Sequence, residues 1–252
     1  LIITFVSVLL VLTMLAGCTQ DPTTSAPEVE EPVVEEPVVE EPVVEEPVDE
    51  TQIPEAVFAG GWPYNTPPTG HFNMFVVNAI ELKFFRELHQ LPLATYLKAT
   101  DVYEPLLASS WEIDQANNTF KVTLRDDAKW RSGENFTSKD VWTTFMIYRL
   151  LGNPVWSYVD SVEAVSDYEV LFTVKTPTPL ILRYVLRKPM VDYKTYGEIA
   201  DWVQILVDAD KDATSTEWQT LSTPFSTFRP EYVNATGPYY LDPANVTESS
   251  VE

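Results

Sequence analysis

Few residues in this 252-residue chain have the types and spacing that catalysis requires. The two histidines, His71 and His89, are far apart, and no His-Glu-x-x-His motif or Cys/His cluster accompanies them. The chain has no Gly-x-Ser-x-Gly elbow and no phosphate-binding loop. Asp126 and Asp127 are adjacent carboxylates, but such neighbours on a turn are more typical of a solvated surface than of an acid–base pair. The sequence therefore predicts a protein that is not an enzyme and that has neither a metal site nor a cofactor.

The single cysteine, Cys18, is the residue best placed for a covalent modification. It follows an apolar run, residues 2–16, whose length suits a signal-peptide core better than a complete membrane span, although an uncleaved membrane helix is the alternative. The run leads into residues 15–18 (LAGC), which resemble the lipobox of bacterial lipoproteins. That resemblance implies that residues 1–17 are a signal peptide and that the Cys18 thiol accepts lipid. We therefore expect an exported chain, anchored to the membrane on its periplasmic or extracellular face. No basic segment precedes the run, so we expect the natural start to lie upstream of Leu1.

Residues 18–54 have the composition of an extended linker. From Glu30 the sequence repeats EEPVV with a period of five, and proline at every fifth residue forbids a continuous helix. Residues 21–55 carry 13 acidic and no basic residues, which repel one another and extend the chain. They supply more than half of the net charge of −22. Because the remainder is also acidic, we expect no nucleic-acid partner.

The central part of the chain carries the pattern of a β-hairpin. Residues 119–124 (TFKVTL) alternate strictly between apolar and polar side chains, which predicts a half-buried strand. Asn117-Asn118 is a turn signal just before it, and residues 111–113 are the predicted partner strand.

A helix, two strands and a second helix are predicted after that hairpin. Thr137 can cap a helix with Asp140 at the capping-box position, and Gly152 is placed to end it. Residues 162–165 and 168–174 are predicted strands, and residues 180–186 form a short apolar helix. Strands and helices without regular βαβ spacing indicate a mixed α/β (α+β) fold.

Two motifs in this region carry a family resemblance. Residues 103–112 (YEPLLASSWE) and 124–141 (LRDDAKWRSGENFTSKDV) resemble, in order and spacing, the signature of family 5 extracellular solute-binding proteins. These are the dipeptide, oligopeptide, nickel and oligosaccharide receptors of ABC importers. Ser132 and Ser138 depart mildly from the pattern, and residues 236–239 (TGPY) resemble a later motif of the family.

The resemblance implies a fold and a function. Residues 55–252 would be the N-terminal part of the solute-binding domain, a periplasmic-binding-protein-like type II lobe with an inserted subdomain at about 81–190. We expect the second lobe to be missing, so that the chain is a sequencing fragment or the product of a broken gene and binds solute poorly. The implied function is capture of oligopeptides or oligosaccharides outside the membrane for import through ABC permease subunits. The alternative is a lipid-anchored surface scaffold or interaction protein without a transport role.

The resemblance also suggests where a ligand would contact the chain. The loop after the family's first strand commonly faces the cleft, and here it holds four side chains suited to stacking and hydrogen bonding: Trp62, Tyr64, Asn73 and Phe75. Tyr239 is a further candidate. For Trp62 and Phe75 the alternative is ordinary core packing, whereas Trp111, Trp130 and Gly133 are expected to be framework.

Overall fold

The computed structural model describes residues 70–77, 79–80 and 86–247. All of them lie in the second of the two units into which the chain divides, Ala59–Glu252. The predicted signal peptide, the predicted lipidation site Cys18, the predicted linker, Trp62 and Tyr64 lie outside the described residues. Within the described part, no helix has both the length and the apolar character needed to cross a bilayer.

The described residues form five α-helices and six β-strands. In chain order they are α1 (Arg86–His89), β1 (Ala94–Leu97), β2 (Val102–Pro105), β3 (Ala108–Asp114), β4 (Thr119–Leu124), α2 (Ser138–Leu150), β5 (Val159–Ser166), β6 (Glu169–Val174), α3 (Leu180–Leu186), α4 (Tyr193–Asp208) and α5 (Thr216–Thr227). Short 3₁₀ helices follow α2 (Pro154–Ser157) and α5 (Pro243–Asn245). The mixed α/β fold predicted from the sequence is confirmed.

The main sheet has four antiparallel strands in the order β3-β4-β6-β5, and β1 and β2 form a separate hairpin. Along β4 the buried side chains alternate as predicted, with Phe120, Val122 and Leu124 on the core face. Phe120 is paired in register with Phe172 of β6, and their ring centroids are 6.0 Å apart. The predicted turn before β4 is present, since Asn118 has a positive φ of 54°.

Helix α2 covers the core face of the sheet. Phe145 meets Phe172 edge-on, with ring centroids 4.9 Å apart, and both side chains are fully buried. The helix begins where the sequence predicts, because the Thr137 backbone N–H donates to Asp140 Oδ2 at 2.8 Å. It ends before Gly152, whose φ of +64° is the left-handed conformation that glycine adopts without a steric penalty.

Helices α4 and α5 pack on the same core as α2, and neither is predicted by the patterns described above. Asp192 caps α4 by accepting the Thr195 backbone N–H at 3.0 Å, and Ser215 caps α5 through the Trp218 backbone N–H. Buried residues of both helices join the same core as α2 and the sheet. A second, smaller cluster is formed by Ile80 and Leu241.

Candidate functional site

Asn73, predicted to contact ligand, is fully buried in the described structure. Its side-chain amide donates to two backbone carbonyls at the end of α5, those of Phe225 and Phe228, each at 3.2 Å. Its side-chain carbonyl accepts the Phe75 backbone N–H, also at 3.2 Å. Because both ends of the amide are already used, Asn73 holds the segment 70–77 against α5. Contact with a ligand stays a prediction for this residue.

Phe75 is half-buried in a cluster of aromatic rings. Its ring meets Tyr148 of α2 and Tyr196 of α4 edge-on, with centroids 5.6 and 5.5 Å away, and lies 6.1 Å from Phe225 of α5. Edge-to-face contacts of this kind add to the free energy gained from burial. Phe75 therefore packs largely as a core residue, which was the alternative considered for it. Contact between Phe75 and a ligand stays a prediction.

His71, at the start of the same segment, uses both ring nitrogens locally. Nδ1 accepts the Asn73 backbone N–H at 3.2 Å, which leaves Nε2 as the protonated nitrogen that donates to the Val77 carbonyl at 3.0 Å. The imidazole thus closes the turn that presents Asn73. No group of three or more potential metal ligands occurs among the residues that the structure describes.

Tyr239 lies on a different segment, which returns along α1. The backbone N–H of Tyr239 donates to the Leu88 carbonyl at 3.2 Å, while those of Thr236 and Gly237 donate to the His89 carbonyl at 2.9 and 3.1 Å. These bonds satisfy carbonyl groups that α1 leaves free at its C-terminal end. The Thr236-Gly237-Pro238-Tyr239 motif is therefore a backbone clamp on α1. Tyr239 is half-buried, and its predicted contact with a ligand is untested.

The return segment is also joined to the turn that precedes α2. Asn234 is buried, accepts the Ser132 backbone N–H at 3.4 Å and donates to the Ser132 hydroxyl at 3.0 Å. The Arg131 guanidinium stacks on the ring of Tyr240, 3.2 Å from its centroid. Since Ser132 is one of the departures from the family pattern, this contact gives it a structural role.

The turn itself is framework, as expected. Trp130 is buried against Phe136, with ring centroids 5.7 Å apart, and Gly133 takes a φ of +94° between them. Asp140 is buried behind the turn and accepts the backbone N–H of Tyr193, the first residue of α4, at 2.8 Å. Burial raises the pKa of this carboxyl group, and the two backbone hydrogen bonds oppose the rise. One carboxylate thus ties the starts of α2 and α4 together.

A partly buried polar cluster, which sequence reasoning missed, lies beside Phe75. It contains four side chains that share an excess of hydrogen-bond donors: Arg86, His89, Tyr148 and Lys188. His89 is 3 % exposed, and neither of its ring nitrogens has a hydrogen-bond partner. Burial, together with the positive charge of Arg86, lowers the pKa of His89 to about 4. No sequence pattern predicts this cluster, because α1, α2 and the residues after α3 each contribute to it from distant parts of the chain.

The chain is similar to known proteins both in sequence and in fold. Residues 102–251 match the family described as bacterial extracellular solute-binding proteins, family 5. The crystal structure of a mannohexaose-bound periplasmic oligopeptide-binding protein of an ABC transporter from Thermotoga maritima is similar, with a TM-score of 0.51 and 25% identity. The match covers 70% of this chain and 29% of that one.

Two other solved structures are similar to this chain, with lower TM-scores. A second crystal structure of the Thermotoga maritima protein has a TM-score of 0.50 and 24% identity, covering 70% of this chain and 30% of that chain. NikA from Brucella suis, in complex with Fe(III)-EDTA, has a TM-score of 0.44 and 26% identity over 54% of this chain and 28% of that chain. This chain thus spans about three tenths of the length of these proteins. No curated protein matches it.

The fold and the family agree. The mixed α/β arrangement of this chain matches a periplasmic-binding-protein-like fold. Because the family match spans more than half of the chain, this protein belongs to the bacterial extracellular solute-binding proteins, family 5.

Proposed function

We propose that this protein captures oligopeptides or oligosaccharides outside the membrane and delivers them to the permease subunits of an ABC importer. The observation that carries the proposal is that the family signature folds as framework. Trp130 and Phe136 are buried around the turn, Asp140 fixes the starts of two helices, and Asn234 fixes the return segment. Such a scaffold would hold a binding surface in place.

The solute class follows from the side chains available near the segment 70–77. Aromatic residues stack on sugar rings and on peptide side chains, and amide groups hydrogen-bond to both. Trp62 and Tyr64, which precede this segment in the sequence, are the leading candidates, and Asn73, Phe75 and Tyr239 are the others. The Thermotoga maritima protein, named as oligopeptide-binding and solved with mannohexaose, supports the same two classes.

Membrane attachment is the second part of the proposal. The residues before Cys18 suit lipoprotein processing, and acylation there would place the protein on the outer face of the membrane. The acidic, proline-rich residues 18–54 would hold the binding domain away from the lipid surface, because their charges and prolines favour an extended chain.

A second candidate function is a lipid-anchored interaction protein without a transport role. The observation that favours it is on α4, where Trp202 and Ile205 are 57% and 65% exposed, one helical turn apart. Large apolar side chains grouped on a surface are common where proteins bind one another. A partner protein docking on α4 would use these two residues and would leave the segment 70–77 unaffected.

Indole NMR of the full chain separates the two functions, because the seven tryptophans each report their own surroundings. We expect short peptides or manno-oligosaccharides, added at millimolar concentration, to shift the Trp62 indole signal, and Trp62→Leu to remove the response. The matched control is Trp202→Leu on α4, which should leave solute binding unchanged. A panel of both solute classes that moves no indole signal contradicts solute capture, and cleavage of any member of the panel would show an enzyme instead.

A further inference from the structure

Among the described residues, the cluster of Arg86, His89, Tyr148 and Lys188 has more hydrogen-bond donors than its neighbours accept. Arg86 Nη2 and both His89 ring nitrogens are buried without a hydrogen-bond partner. The only hydrogen bond from the Arg86 side chain in the described structure runs from Nε to Gln90 Oε1, at 3.1 Å. Buried polar groups are normally paired, since an unpaired one costs on the order of 1–3 kcal/mol. A cluster of this kind is therefore suited to an acceptor from outside it.

The charges of the cluster define what kind of acceptor fits. Lys188 Nζ lies over the ring of Tyr148, 4.9 Å from its centroid. Burial and, to a lesser extent, the positive charge of Arg86 lower the pKa of both His89 and Lys188, so the two cationic side chains and the imidazole lie within electrostatic range of one another. Among the described residues, no carboxylate pairs with Arg86 or Lys188. Arg86 and Lys188 carry like charges that no described carboxylate offsets, so an anion would stabilise the cluster.

Part of the cluster reaches solvent. His89 is its innermost member, whereas Arg86 and Lys188 are only half-buried. An anion would therefore meet Arg86 and Lys188 first and would then come within reach of the imidazole. The cluster adjoins the segment 70–77, because the rings of Phe75 and Tyr148 are in edge-to-face contact.

We propose that Arg86, Lys188 and His89 form a binding site for a single carboxylate group, with Tyr148 as its floor. The guanidinium N–H and the ammonium group would donate to the two carboxylate oxygens, and one His89 ring N–H would add a third hydrogen bond. Charge-assisted hydrogen bonds of this type are roughly twice as strong as those between neutral groups, and the planar guanidinium of arginine suits a carboxylate better than lysine does. The site goes beyond solute capture as proposed above and does not require the carboxylate to belong to a transported solute.

NMR of histidines labelled at Cε1 tests the site directly, because the chain has only two histidines. The probes are acetate, the tripeptide Ala-Ala-Ala and its C-terminal amide, each added to the full chain during a pH titration. A bound carboxylate favours the protonated imidazole, so we expect a carboxylate probe to raise the pKa of His89 by roughly one unit or more. His71, which is held by Asn73 and Val77, should not respond and serves as the internal reference.

The outcomes are distinct. A response to acetate identifies a site for small free carboxylates, whereas a response to Ala-Ala-Ala alone identifies a site for a peptide terminus. Arg86→Gln and Lys188→Gln should each abolish the probe-dependent change, and Arg183→Gln, an exposed arginine on α3, should leave it intact. The proposal is overturned if no probe changes the pKa of His89, if the amide acts as strongly as the free acid, or if the change persists in Arg86→Gln. Because the readout is His89 and not the Trp62 indole, failure here is separate from failure of solute capture.

Discussion

Gly237 lies directly against the backbone of Leu88, at the end of α1. A β-carbon at position 237 would overlap the Leu88 carbonyl carbon and oxygen, so glycine is required by the closeness of the two chains. The contact is reinforced by the hydrogen bond from the Gly237 backbone N–H to the His89 carbonyl. The family-like motif at residues 236–239 thus has a physical basis in chain packing.

Replacing Gly237 with alanine should therefore destabilise the fold by about 1–3 kcal/mol, because backbone atoms cannot move aside as a flexible side chain can. For a domain of this size we expect the melting temperature to fall by roughly 2–4 °C for each kcal/mol. Calorimetry of the variant measures the change.

The matched control replaces Gly152, as well as Gly237, with alanine and with asparagine. Gly152 has open space around it and a φ of +64°. Asparagine tolerates this conformation, so Gly152→Asn should cost less than Gly152→Ala. At position 237 asparagine should be no better than alanine. Equal stability of Gly237→Ala and the unaltered protein would show that the contact is looser than described.

Asn73 should prove essential to stability whatever its part in binding. Asn73→Leu removes the donor to the Phe225 and Phe228 carbonyls and leaves buried groups unsatisfied, which we expect to cost about 2–4 kcal/mol. Urea unfolding gives the free-energy difference. Asn245→Leu, at an exposed asparagine, is the control and should change stability by less than ~0.5 kcal/mol. A mild effect at position 73 would instead favour a role in ligand contact alone.

His89 should make stability depend on pH. Its pKa is about 4 in the folded protein against 6.5 for the unperturbed group, so the folded state binds fewer protons than the unfolded state between these values. Stability is therefore fully present above pH 6.5 and is lost as the pH falls toward 4, by about 3 kcal/mol in total.

Urea unfolding in carboxylate-free buffer at pH 7 and pH 4 measures that loss. Other groups titrate as well, so the informative quantity is the difference between the unaltered protein and His89→Gln, in which the contribution is absent. His71→Gln, at the half-buried histidine, is the parallel control. The same pH dependence in His89→Gln and in the unaltered protein would contradict the burial of a neutral imidazole.

Cys18 should decide whether the protein reaches the membrane. In a bacterial host fed with a labelled fatty acid, we expect the protein to incorporate the label and to partition into detergent, because attached acyl chains bury many methylene groups in lipid. Cys18→Ser should lose both properties. Label that remains on Cys18→Ser would place the lipid elsewhere or show a non-specific association.

Local secondary structure could be predicted from the sequence wherever it depends on neighbouring residues. The alternation of residues 119–124, the Thr137–Asp140 cap, the stop at Gly152 and the helix at residues 180–186 are all confirmed. Each arises from backbone preferences and side-chain periodicity within a few residues. The family signature is equally local, because it is a series of turns, caps and short strands in fixed order.

The tertiary structure alone decided the rest. The predicted strands at residues 111–113 and 162–165 are longer in the fold, as β3 and β5, because their partners β4 and β6 continue the hydrogen-bond ladder past the apolar pattern. Asn73 bonds to the Phe228 carbonyl across 155 positions of the chain. The charge of Arg86, on α1, acts on Lys188, which follows α3. Such contacts are set by how helices and sheet pack around a shared core, and no pattern of neighbouring residues encodes which distant side chain will be met.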